Sequence, residues 1–232
     1  MMSNSTTWQD ELFLRYWNVG RQVRLYLMGQ LRQQLPWEVL DKQILFIHIP
    51  KAAGSSICDS LYGRQLGHVR CIDYQRINSG QFRSIRKFSV IRNPYERVYS
   101  AYCFLKDGGL PAFPADQRLS RIIQRYGGFE SFVLNWLSCR NNRNSYIHFM
   151  PQSDFVTDRQ GCLMVDRLGK LEELNDFIQT LEWEWGVQLE LPHLNKSNRG
   201  GLDTGREWFS EPVREVIGEL YSDDFRLGDY RR

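Results

Sequence analysis

The chain has 232 residues, 42% of them hydrophobic and 25% charged, with a formal net charge of +3. That composition excludes a disordered tail or a fibre, and the length suffices for one good-sized domain with a real core. The mild positive balance suits an anionic ligand but falls far short of a nucleic-acid-binding surface. Five cysteines (Cys58, Cys71, Cys103, Cys139 and Cys162) stand singly, without CxxC or metal-ligand spacing, which predicts reduced thiols and no metal. With no basic-then-apolar leader and no run of about 18 apolar residues, the expectation is a soluble cytoplasmic protein.

In chain order, residues 8–33 place Leu12, Tyr16, Val19, Val23 and Leu27 at helical spacing, with Arg15, Arg21, Arg24 and Arg32 between them. This basic amphipathic helix is expected to pack on its own domain. The competing expectation is peripheral membrane contact through residues 8–33. Leu35-Pro36 ends it, and a domain boundary is placed between residues 1–43 and 44–232. ILFIHI (44–49) is a continuous apolar run, as for a strand covered on both faces. SSICDSLYG then reads as a helix closed by Gly63, HVRCI (68–72) as a short strand and KFSVI (87–91) as a clearer one. In NPYERVYSAYCFL, Asn93, Pro94 and Glu96 form a helix-start signature. Residues 117–138 read as two helices split at Gly127-Gly128, MVDRL (164–168) as a strand and KLEELNDFIQTLEWEWG as a helix ending at Gly186. Residues 192–205 form a basic, glycine-rich loop, and the last helix starts at Ser210. Strands alternating with helices predict an α/β fold, a three-layer domain with a mainly parallel central sheet.

The chemistry concentrates at FIHIPKAAGSS (46–56). A strand that breaks into a glycine-containing turn and a helix presents unpaired backbone N–H groups at the positive end of the helix dipole, ready for phosphate. Walker A order is GxxxxGK[ST], whereas here Lys51 precedes Gly54 and no GK[ST] follows. In SVIRNPYERVYSAY (89–102), Arg92 stands where the strand runs out and Ser100 lies two helical turns on, a plausible second anion site.

Together the two segments resemble the sulfotransferase superfamily, and more narrowly the carbohydrate sulfotransferases related to heparan sulfate 2-O-sulfotransferase. The resemblance runs from about Ile44 to Tyr230. It implies a P-loop-like fold and 3′-phosphoadenosine-5′-phosphosulfate (PAPS) as sulfuryl donor. Lys51, Ala53, Gly54, Ser55 and Ser56 then take its 5′ end, and Arg92 and Ser100 its 3′-phosphate. LGHVRCIDY (66–74) is similar to the stretch that carries the family's catalytic base, which makes His68 the base, with Lys51 as the group that stabilises the leaving phosphate. The related enzymes have a second histidine two residues earlier, where this chain has Gln65-Leu66. His148 is the reserve base, His48 a hydrogen-bonded core residue beside the turn, and His193 loop architecture. Lys196 and Ser197, in an NxS-type segment, are further donor-binding candidates. Trp183 and Trp185 are expected in the core or at a helix end. The implied acceptor is a glycan hydroxyl (capsule, exopolysaccharide or glycolipid). Two other readings stay open here: a nucleotide kinase with a variant loop, and a non-catalytic nucleotide- or glycan-binding module.

Overall fold

A computed structural model of the chain describes residues 5–32, 34–191 and 209–232. The elements in chain order are α1 (Ser5–Arg32), α2 (Trp37–Lys42), β1 (Ile44–Ile47), α3 (Gly54–Tyr62), α4 (Cys71–Ile77), α5 (Ser79–Ser84), β2 (Arg86–Ile91) and α6 (Pro94–Lys106). There follow α7 (Pro114–Arg125), α8 (Phe129–Phe132) with a π-helical turn at Val133–Leu137, α9 (Arg140–Ser145) and α10 (Ser153–Val156). The chain continues with β3 (Arg167–Lys170), a 3₁₀ turn at Leu171–Glu173, α11 (Leu174–Trp185), α12 (Glu211–Leu220) and α13 (Ser222–Leu227). They fall into two compact units. A sheet unit comprises Leu25–Asn93 and Pro151–Thr204, and a helical unit comprises Met1–Arg24, Pro94–Met150 and Gly205–Arg232.

In the sheet unit the three strands are parallel in the order β1-β2-β3, with Ile44 opposite Arg86 and Phe88 opposite Arg167. The α/β class with a parallel sheet is therefore observed. All of β1 and all but the first residue of β2 are buried, as a doubly covered strand requires. Phe46 and Phe88 pack with ring centroids 4.9 Å apart. Ile57 and Leu61 of α3, and Leu174, Ile178 and Leu181 of α11, join the same core. Their i, i+4 spacing puts each set on one helix face, and each large side chain so buried stabilises by about 1.5–3 kcal/mol. At the β1 edge the Tyr62 hydroxyl accepts from Phe46 N–H (2.8 Å) and donates to the Ile44 carbonyl (2.9 Å), so a side chain occupies the edge's exposed ladder groups.

Two strand expectations are corrected. Residues 68–72 are not a strand: α4 begins at Cys71, because Arg70 pairs with Asp73 (2.7 Å) in the helix's first turn, while Cys71 and Tyr74, three residues apart, bury one face. The strand expected at 164–168 forms at Arg167–Lys170. Met164 N–H is taken by the Val156 carbonyl (2.7 Å) and Asp158 Oδ1 collects the N–H groups of Gln160 and Cys162, so residues 157–164 are committed to a tight return. Gly169 then admits the Phe177 ring, which a Cβ would meet at 2.3 Å.

The helical unit has its own aromatic core, including Phe132, Trp136, Phe149, Tyr221 and Phe225. Here α1 packs through Leu14 and Asp10, both buried. The stripe singled out in the sequence is the other face: Leu12, Tyr16, Val19, Val23 and Leu27 are 42–69% exposed. The physical reason is Asp10, whose carboxylate receives Arg118 (3.1 Å), Arg121 (2.8 Å) and Arg125 (3.0 Å) from one face of α7. Burial raises its pKa, but hydrogen bonds and charge from Arg121, with Arg118 and Arg125, outweigh burial and leave the carboxyl below its ordinary value. That cluster, not the apolar stripe, sets how α1 turns. Among the described residues no helix is long and apolar enough to cross a membrane.

Candidate active site

The turn between β1 and α3 is built by backbone. Lys51 (φ 68°) and Ala53 (φ 58°, ψ 11°) both adopt the left-handed conformation without being glycine. Strain of that kind, of order 1–3 kcal/mol per residue, persists where a site needs the geometry. Both residues stand within three positions of the start of α3. Ala53 offers no side-chain cap and no acidic residue lies in the first turn, so the first-turn N–H groups of α3 meet no competing carboxylate. Gly54 is required for a packing reason: a Cβ there would lie 1.8 Å from His48 Cδ2 and 2.2 Å from its Nε2.

His68 follows on the segment between α3 and α4. Gly67 (φ 80°) makes the bend, and Gln65 anchors it, its amide donating to the Ser55 carbonyl (3.0 Å) and Asp59 Oδ1 (2.6 Å) on α3. His68 Nδ1 lies 3.0 Å from the His48 carbonyl oxygen. A carbonyl only accepts, so Nδ1 carries the proton and, in the neutral ring, Nε2 carries the lone pair. That is the orientation of a general base held from behind, with a carbonyl in the place a carboxylate takes in hydrolase triads. The rings of His48 and His68 lie 4.1 Å apart. Burial first, and then the positive charge available to His68, push His48 down to about 3, so it stays neutral.

Arg92 stands just beyond β2, as the sequence expects. Its backbone is clasped by buried Gln152: Arg92 N–H donates to Gln152 Oε1 (2.9 Å) and Gln152 Nε2 donates to the Arg92 carbonyl (2.8 Å). The N–H of Asn93, which a capping box would give to Glu96, donates to Glu172 Oε1 (2.7 Å). Lys51, Ala53, Gly54, Ser55, Ser56, His68 and Arg92 thus all lie in the sheet unit. Ser100, on α6, and His148 belong to the helical unit. The His148 ring packs beside Phe104 (5.2 Å) and Tyr146 (5.5 Å), and its carbonyl accepts from buried Arg97. Trp185 packs edge-on against Phe88 (5.9 Å), whereas Trp183 is 86% exposed. His193, Lys196 and Ser197 lie outside the described residues.

Sequence reasoning missed the structural partners. Gln152 lies sixty residues from Arg92 and carries no local signal. Gln65 occupies the region where the related enzymes have a histidine and proves to be an anchor onto α3. Arg97 sits in the helix motif, yet it is fully buried and donates to the carbonyls of His148 (3.1 Å) and Met150 (2.6 Å).

The α/β fold thus brings together a parallel sheet, a left-handed turn opening an uncapped helix, and a histidine whose Nδ1 faces a carbonyl. The sulfotransferase family model matches residues 40–231, and the chain belongs to that family. No curated protein and no solved structure matches it. Membership sets the reaction class as sulfuryl transfer, and the nucleotide-kinase alternative has no support.

Proposed function

We propose that this sulfotransferase moves the sulfuryl group of PAPS to a carbohydrate hydroxyl, with His68 as general base. The observation that carries the reading is the contact between His68 Nδ1 and the His48 carbonyl, which puts the ring's proton on Nδ1 and its lone pair on Nε2. The residues fit the donor's 5′ end: left-handed Lys51 and Ala53 open an uncapped helix start, with the hydroxyls of Ser55 and Ser56 in its first turn. The donor supplies a sulfuryl group already joined to a phosphate leaving group. Nε2 of His68 takes the acceptor hydroxyl's proton as that oxygen attacks sulfur. Lys51 and the turn's N–H groups stabilise the negative charge left on the phosphate oxygen. Arg92, its backbone fixed by Gln152, takes the 3′-phosphate, the feature that separates this donor from ATP.

A carbohydrate acceptor is favoured because the motif resemblance is closest to the glycan branch. The test is transfer of label from PAPS to capsule, exopolysaccharide and glycolipid fractions. Labelled glycan is expected with the native enzyme. His68→Gln should lower the rate by roughly 10²–10⁴, the usual worth of general-base help, with donor binding intact. Full activity in His68→Gln, or label only on non-carbohydrate acceptors, would overturn the reading.

A further inference from the structure

One side chain of the sheet unit touches both the base and the anion turn, and the scheme above gives it no task. His48 follows β1 directly. Its carbonyl holds His68 Nδ1–H at 3.0 Å. Its ring packs against the His68 ring at 4.1 Å and 60°. Its Cδ2–Nε2 edge fills the space that a side chain on Gly54 would need. We infer that His48 is a positioning residue that keeps the base and the phosphosulfate turn in register. The inference rests on the sulfuryl-transfer reading.

The ring's own orientation is fixed from its far side. Cys58 Sγ lies 3.8 Å from His48 Nδ1. Burial pushes the Cys58 thiol up to about 11, so the sulfur keeps a proton within reach of His48 Nδ1. With the thiol as donor, His48 Nδ1 accepts and the ring's proton sits on Nε2, on the edge that faces Gly54. Neutrality matters as much as shape. Two imidazoles this close disfavour double protonation, so a His48 that stays neutral leaves the transferred proton on His68.

Register is what in-line transfer demands. Base and acceptor work on one side of sulfur and the anion turn on the other, and misplacement by about 1 Å costs on the order of 10² in rate. Phenylalanine at position 48 would fill the volume but offer Cys58 no acceptor. Leucine would fill part of it and leave the base unstacked.

The test uses the full chain with ¹⁵N-labelled histidine, reading imidazole tautomers by NMR and the binding of adenosine 3′,5′-bisphosphate by calorimetry. In the native protein His68 is expected as the Nδ1–H tautomer and His48 as the Nε2–H tautomer. Cys58→Ala should mix the His48 tautomers and Cys58→Ser should restore one; neither should unfold the chain, because the change is a single atom in size. His48→Ala keeps the backbone carbonyl, and with it the His68 tautomer, but removes the ring stacked on the base, so its effect is read in combination with Gly54→Ala. Gly54→Ala should weaken bisphosphate binding about tenfold, and His48→Ala in the same chain should recover part of that loss, because the added methyl then has room. Simple addition of the two losses would overturn the positioning role while leaving the sulfuryl-transfer reading in place. Absence of bisphosphate binding in the native protein would instead remove that reading, and this inference with it.

Discussion

The two units of the chain use buried polarity in opposite ways. In the helical unit, buried charges hold structure together. Asp10 gathers three arginines, and Arg97 takes the carbonyls of His148 and Met150 while Tyr221 takes that of Phe149 between them (2.7 Å). In the sheet unit the candidate site sets two charged side chains, Lys51 and Arg92, on a frame of neutral parts: a backbone turn, a glycine, a thiol and an uncharged imidazole. A site for an anion needs donors that are fixed before the ligand arrives, and backbone N–H groups meet that need without a counter-ion to displace.

The comparison can be broken first at Asp10. Asp10→Ala should cost about 2–3 kcal/mol, less than for a fully buried pair, because its arginines remain one-third to one-half exposed. Chemical denaturation would measure it, and bisphosphate binding should be unchanged. The Asp10 carboxyl is held below its ordinary value in the fold. Its contribution is therefore complete at neutral pH and is lost as pH falls through the folded value.

A second test sharpens the neutral side. His48 is depressed from an ordinary value of 6.5 to about 3 in the fold. Between those values the unfolded chain binds a proton that the native chain does not, so stability should fall as pH drops from 6.5 toward 3. His48→Phe should flatten that part of the slope, measured as denaturation midpoints at pH 7 and pH 4. An unchanged slope would mean that His48 is charged in the fold. The smallest effect is expected at the sheet edge, where Tyr62→Phe should cost about 1 kcal/mol by removing the hydroxyl that bonds to Phe46 N–H and the Ile44 carbonyl.

The parts legible in the sequence are those whose signal is local. The runs at 44–49 and 87–91 hold β1 (Ile44–Ile47) and all but the first residue of β2, because continuous apolarity means burial on both faces. α3 and α11 end at Gly63 and Gly186, both in the left-handed conformation that favours glycine. The turn at Lys51–Gly54 was legible for the same reason, as was the motif position of Arg92. What escaped depends on distant partners. The face that α1 buries is chosen by arginines more than a hundred residues away. The start of β3 is delayed by a return that Asp158 closes, and Gln152 meets Arg92 only in the fold. His48 read correctly as a buried core residue, but its carbonyl's hold on His68 depends on a loop path that periodicity does not encode.

The most direct measurement is calorimetric titration of adenosine 3′,5′-bisphosphate against magnesium-ATP, using the native protein and Arg92→Ala. The account expects micromolar bisphosphate binding, weakened at least tenfold in Arg92→Ala, with no comparable binding of ATP. Preference for magnesium-ATP, or bisphosphate binding indifferent to Arg92, would contradict it.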